Sequence, residues 1–235
     1  MSRFPLRRLV PFSPYVIFSI LHLLGQLAGS ETLTQTTKPL LILSLAAALI
    51  WSVGARLTAP VIVALIALLL SWVGDVALMI SGSLWFVVGL GAFLLAHVAY
   101  IVLFLRHLGR GKLPRAALLY LVWLALLVVF LVPYLGPMLV PALLYAVVIT
   151  TMAIVATRCG PIVTLGALLF LLSDSMLAVN KFVPDVVLPQ SGFLVMITYI
   201  AAQGLIIVGV VAFVRARAAA NATDGVDVSG DLTSR

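Results

Sequence analysis

Residues 68–80 read LLLSWVGDVALMI, and residues 168–180 read LLFLLSDSMLAVN. Each stretch is apolar on both sides of a single acid, Asp75 or Asp174, which follows a small residue, Gly74 or Ser173. A helix apolar on all its faces is buried in protein or in lipid. An ionised carboxylate at mid-bilayer costs about 3 kcal/mol even on the mildest scale, so an intramembrane acid marks a functional site unless shown otherwise. Two acids in two stretches that read almost alike therefore set both the fold class and the search for function.

The composition agrees. Of 235 residues, 64% are hydrophobic and 9% charged, with a mean hydropathy of +1.28. That composition predicts an all-α, polytopic transmembrane helix bundle. A membrane β-barrel would alternate polar and apolar residues in short segments, whereas these runs are continuously apolar. Eight segments come near the roughly 20 residues that cross a bilayer: 14–30, 38–53, 60–80, 84–106, 114–133, 138–157, 160–180 and 191–214. Pro14, Pro39, Pro60, Pro114 and Pro161 fall at or near their starts, where a missing N–H costs little. The second segment is the shortest.

The basic residues orient the bundle. Threading eight spans puts Arg3, Arg7, Arg8, Arg56, Arg106, Arg110, Lys112, Arg115, Arg158, Arg215, Arg217 and Arg235 on one side, and Lys38 and Lys181 on the other. The positive-inside rule then places both termini in the cytoplasm of an integral protein of the bacterial inner (cell) membrane. The net charge of +7 is thus dispersed as topology signals, which excludes a nucleic-acid surface. The start, MSRFPLRRLVPFSPYVIF, resembles a signal peptide, but the charge pattern requires a retained first helix. The expected domains are a basic cytoplasmic arm (1–13), an eight-helix transmembrane domain (14–214) and a disordered cytoplasmic tail (215–235), polar and rich in small residues. The likeness of the third and seventh segments, four helices apart, also suggests a 4+4 repeat.

Both acids lie in spans that run outward, about 9 Å from the outer end at 1.5 Å per residue. If those helices face each other, the carboxyl groups approach. Two close carboxylates in low dielectric do not both ionise cheaply, so a general acid and a general base are expected in one site. The fourth span puts Phe93, His97 and Tyr100 on one face by spacing of four and three. The eighth does the same for Tyr199 and Gln203, and the sixth carries Tyr145. Lys38, before Pro39, reads either as an interfacial snorkelling lysine or as a phosphate or carboxylate partner at the mouth of the site. His22 and Gln26 share a face of the first span and read as packing groups. There is no Gly-rich phosphate loop, GxSxG elbow or HExxH helix, and Cys159 stands alone, so no metal site and no cofactor is expected.

These pieces together resemble the YhhN-like lysoplasmalogenase family of eight-helix membrane proteins. The resemblance rests on Lys38-Pro39, Gly74-Asp75 in VGDVALM, Phe93, His97 and Tyr100 in GAFLLAHVAY, Tyr145, Ser173-Asp174 in LLSDSMLA, and Tyr199 with Gln203. It spans nearly all of the hydrophobic chain but neither the arm nor the tail. It implies hydrolysis of the vinyl-ether bond of a lysophospholipid substrate, with Asp75 and Asp174 as the catalytic pair. Lys38, His97, Tyr100, Tyr145, Ser173, Tyr199 and Gln203 would then line the substrate site. The rival expectation is a proton-coupled transporter with the acids as a relay, which requires a polar path on to the cytoplasmic face. The oligomeric state is not legible.

Overall fold

Loss of backbone hydrogen bonds to water leaves a bilayer-spanning chain with helices or closed barrels as its choices, and this chain takes helices throughout. The computed structural model describes residues 10–54, 57–184, 186 and 190–232, the side chains as far as residue 221. Its α-helices are α1 (Ser13–Leu27), α2 (Glu31–Val53), α3 (Ala59–Met79), α4 (Ser83–Leu103), α5 (Leu118–Leu135), α6 (Leu139–Ala156), α7 (Pro161–Phe182) and α8 (Ser191–Leu232). No strand occurs among the described residues. Most of the expected basic arm, and Arg56 and Arg235, lie outside the described residues.

Three boundaries differ from the sequence reading. α2 starts at Glu31 rather than 38, so Pro39 is inside the helix and Lys38 about 10 Å beyond its start. Ser30 caps the helix, its Oγ accepting from the Leu33 N–H at 3.4 Å. The hydroxyls of Thr34, Thr36 and Thr37 turn back onto carbonyls of the preceding turn. Those local bonds let a polar stretch continue the helix. Pro39 brings no N–H to the ladder, and its own carbonyl accepts from Trp72 Nε1 of α3 at 3.1 Å.

Second, α5 and α6 belong to one helical stretch, Arg115–Ala156, so seven stretches, not eight, are long and apolar enough to cross a membrane. Pro133, Gly136 with φ +47° and Pro137 break it, and α5 packs against α6. Third, α8 runs past 214 to Leu232, where a disordered tail was expected. Arg215–Ala220 consists only of Arg and Ala, two of the strongest helix formers, so propagation from the span is favourable. Arg215 also ties α8 to the end of α2. Its Nε and Nη2 donate to the Ser52 carbonyl at the end of α2, at 3.1 and 2.9 Å.

The helices pack as consecutive pairs, α1 on α2, α3 on α4, α5 on α6 and α7 on α8. Between the halves, α2 meets α8 and α4 meets α6. α8 is the central helix, touching α1, α2, α3 and α7. Small residues permit these approaches. A Cβ on Gly166 of α7 would stand 2.9 Å from the Ala202 carbonyl oxygen of α8. The buried core gathers Leu41, Leu45, Leu68, Phe104, Phe170, Ile206 and Ile207. With these long apolar helices, the protein is an integral membrane protein.

Candidate active site

Asp75 lies one turn before the end of α3 and is 3% exposed. A buried carboxylate must be met by donors, and two are present. The Tyr199 hydroxyl of α8 donates to Oδ2 at 2.6 Å. Lys38 Nζ of α2 stands 3.9 Å from Oδ1. Lys38 therefore does not sit free at the mouth of the site. Its place two turns inside α2 brings the ammonium into the bundle, where it partners the acid.

Asp174, on α7, receives a short hydrogen bond from the Tyr145 hydroxyl of α6. Its neighbour Ser173 faces elsewhere, donating to the Val195 carbonyl at 2.9 Å and so fastening α7 to α8. Each acid thus has its own tyrosine from a different helix, and both acids line one cavity. α3 and α7 do not meet in the way their matched sequences suggest. α8 packs against both and supplies Tyr199 between them.

Behind the tyrosines lies an aromatic wall. Phe170, one turn before Asp174, stands edge-on to Tyr199 (5.4 Å between centroids), His97 (4.6 Å) and Phe93 (6.4 Å). His97 continues it to Tyr145 at 5.4 Å. Gly74 makes room, since a Cβ there would come within 2.6 Å of the Phe93 ring. His97 is fully buried, and neither ring nitrogen makes a hydrogen bond among the described residues. His97 therefore packs against Phe170 and Tyr145 and makes no hydrogen bond to either acid.

Gln203 extends the polar network one turn deeper. Its amide donates to Ser71 Oγ at 3.0 Å and to the Tyr199 hydroxyl at 3.4 Å, and its Oε1 accepts from Tyr100 at 2.5 Å. Tyr100 and Gln203 are fully buried. Both hold Tyr199 from behind rather than lining open space. Below them the core is apolar, with Val61, Ala64 and Leu68 of α3 and Ile206, Ile207 and Val210 of α8 all buried in one hydrophobic cluster. The polar path needed by a proton relay to the opposite face stops there. Of His22 and Gln26, read as packing groups, His22 bridges α1 to α2 with its Nδ1 2.9 Å from Thr37 Oγ1, and Gln26 Nε2 lies 3.4 Å from His22 Nε2 within α1.

One cavity of about 130 Å³ has Asp75, Asp174, Lys38, Tyr145, Ser173 and Tyr199 on its wall. The rest of the wall is mostly apolar, from Leu78, Leu90, Leu131, Ile149 and Met196. Such a space suits an acyl or alkenyl chain with one reactive polar spot. His97, Tyr100 and Gln203 do not line it. Two residues in the site were missed by the sequence reading. Phe170 carries a helical signal, being four residues before Asp174. Lys181, taken only as an outer flank, lines the cavity with its Nζ 4.9 Å from the Phe86 ring centroid. Among the described residues, no group of three or more His, Cys, Asp or Glu is placed to hold a metal.

The chain is similar to proteins named lysoplasmalogenase. The Mycobacterium bovis and Mycobacterium tuberculosis lysoplasmalogenases are each 39% identical over 128 residues, covering 50% of this chain and 49% of theirs. Human lysoplasmalogenase TMEM86B is 34% identical over 145 residues, covering 60% of this chain and 59% of its own. The chain thus aligns with about half the length of the mycobacterial relatives. No solved structure matches it. The sequence profile of the YhhN family matches residues 33–210, which contain both acids, their tyrosines and both cavity lysines, so the chain belongs to the YhhN family.

Proposed function

We propose that this protein is an intramembrane hydrolase that cleaves the vinyl-ether bond of lysoplasmalogens. The observation that carries the reading is the meeting of Asp75 and Asp174 at one largely apolar cavity, each held by a tyrosine hydroxyl. The mycobacterial and human relatives are named for this activity.

The rate-limiting difficulty in vinyl-ether hydrolysis is protonation of carbon. A proton moves from a carboxylic acid to the alkenyl carbon remote from oxygen, leaving an oxocarbenium ion at the carbon bonded to oxygen. Water adds there and returns a proton to the carboxylate. The hemiacetal then collapses to a fatty aldehyde and a glycerophospho-alcohol, and one water is consumed. Asp174 serves as the general acid, because its described partner is a neutral hydroxyl. Asp75, facing the Lys38 ammonium, serves as the fixed carboxylate that steadies the cation and guides the water. Tyr145 and Tyr199 fix the positions of the two acids, and Gln203 with Tyr100 fixes Tyr199. The alkenyl chain occupies the apolar part of the cavity.

The protein sits in a bacterial cell membrane with both termini in the cytoplasm and the cavity toward the outer face, as the distribution of basic residues supports. The test is direct. Purified protein in detergent or liposomes is incubated with a defined 1-alkenyl lysophospholipid, and aldehyde is measured. Stoichiometric release of aldehyde and glycerophospho-alcohol is expected. Absence of aldehyde from every alkenyl lysolipid tried would reject the reading.

A further inference from the structure

Two cations line the cavity, and they have different surroundings. Lys38 faces Asp75 at 3.9 Å, the single ion pair among the described residues. Lys181 is exposed at the far end of α7, its Nζ over the Phe86 ring, and it pairs with no described carboxylate. Phe86 is itself held edge-on by Phe182 at 5.9 Å. The aromatic pair therefore holds at the cavity rim a cation that is paired with no described carboxylate.

Position along the helix gives this cation a length scale. Lys181 follows Asp174 by seven residues, two turns, so the two share a face and stand about 10 Å apart along the axis. Both line the same cavity. In an alkenyl lysophospholipid, the carbon to be protonated is seven bonds from phosphorus, through the ether oxygen, the three glycerol carbons and the phosphoester oxygen. At the roughly 1.2 Å per bond of an extended chain, that is about 8 Å. The remaining difference falls within the reach of a flexible lysine side chain.

We propose that Lys181 is the head-group clamp of this cavity, binding the lipid phosphate while the ether bond lies two helical turns deeper beside Asp174. The clamp selects phosphate-bearing single-chain ethers over neutral ones and sets the register of the chain against the acids. The identity of the bond at Asp174 rests on the lysoplasmalogen reading, whereas phosphate binding at Lys181 does not.

The test uses saturated ethers, which bind but cannot be protonated at carbon. Binding of 1-O-alkyl lysophosphatidylethanolamine and of 1-O-alkylglycerol with the same chain is measured by calorimetry on the full-length protein in micelles. Wild type, Lys181→Met and Lys181→Arg are compared. Wild type is expected to prefer the phosphate-bearing ether. Lys181→Met is expected to lose about tenfold of that preference and Lys181→Arg to keep most of it. If Lys181→Met does not fold, Lys181→Gln takes its place. An unchanged ratio in the uncharged variant overturns the proposal, as does an equal loss for both ligands. Inorganic phosphate at millimolar concentration is expected not to displace the phosphate-bearing ether. Displacement would mean a free-anion site and would also overturn it. The ratio can shift while wild type releases no aldehyde from alkenyl substrates. The clamp would then stand and the hydrolase reading would fall, and the opposite pair of results would separate them the other way.

Discussion

Tyr199 donates a 2.6 Å hydrogen bond to Asp75, joining α8 to α3 near one end of the bundle. That bond accounts for how two similar helices can serve one site without packing directly on each other. α8 lies between α3 and α7, and its tyrosine takes up the Asp75 side while Tyr145 of α6 takes up the Asp174 side. The bond also links the acid to the buried Gln203, Ser71 and Tyr100 cluster, so Asp75 is held by a chain of interactions across three helices.

Asp75→Asn and Asp174→Asn are each expected to abolish aldehyde release while the protein still inserts and folds. Asparagine keeps the volume and the hydrogen-bonding capacity but carries no proton to give or take. The expected loss is about 10²–10⁴-fold. If the acids work as a unit, the double variant should be little worse than either single one. Aldehyde release at matched amounts of folded protein is the measurement, and substantial activity in either variant removes that acid from the mechanism.

Tyr199→Phe keeps the ring in the aromatic wall but deletes the bond to Asp75. The expected result is a lower kcat with little change in KM, the pattern of an interaction that positions a reacting group. Loss of a hydrogen bond to a charged group amounts to about 1.5–3 kcal/mol, or roughly 10–150-fold. Steady-state kinetics with one alkenyl lysolipid would check it. A change confined to KM would assign Tyr199 to substrate binding instead.

Gly166→Ala is expected to destabilise the bundle without touching the cavity. The added methyl meets the Ala202 carbonyl oxygen at 2.9 Å and the Ile206 nitrogen at 3.1 Å, both backbone atoms that cannot swing aside. Overpacking of this kind costs about 1–3 kcal/mol. Thermal unfolding in detergent would show a lowered midpoint, and an unchanged midpoint would mean that α7 and α8 separate freely.

His97→Phe is expected to leave thermal stability unchanged or raise it. The imidazole nitrogens are buried without hydrogen bonds, and an aromatic ring keeps the edge-on contacts to Phe170 and Tyr145. Removing an unmet polar group relieves its desolvation penalty. A marked fall in the melting midpoint would show that the ring has a partner in the membrane.

Cys159 lies in the turn between α6 and α7, where burial pushes its thiol up to about 12 despite the opposing pull of Arg158. A raised value keeps the thiol neutral below that pH, and the thiolate is the reactive form. Alkylation by iodoacetamide at pH 7–9 should therefore be far slower than for free cysteine. Mass spectrometry of a timed reaction would measure it. The same slowness makes the protein a quiet background for single cysteines placed near either terminus. Labelling of both from the cytoplasmic side is the expected topology.

Hydropathy and the 3.6-residue period are short-range properties, so the sequence by itself determined what depends on them. It determined the all-helical membrane class, the positions of most spans, and the choice of Asp75 and Asp174 as the polar groups needing partners. It also placed Tyr199 with Gln203, and His97 with Tyr100, on single helix faces. Composition misled it at two boundaries. TLTQTT falls outside the second segment, read as starting at 38, yet its threonine hydroxyls bond back into the helix. RARAAA after 214 read as tail because it is not apolar, yet it propagates α8. Only the tertiary structure decided which tyrosine meets which acid, that Lys38 pairs with Asp75, that His97 and Gln203 stand behind the cavity rather than in it, and that Phe170 and Lys181 belong to the site. Those outcomes depend on how each helix is rotated and how near its neighbours come. Rotation and approach are set by contacts such as Gly74 under Phe93 and Gly166 under Ala202, between residues far apart along the chain.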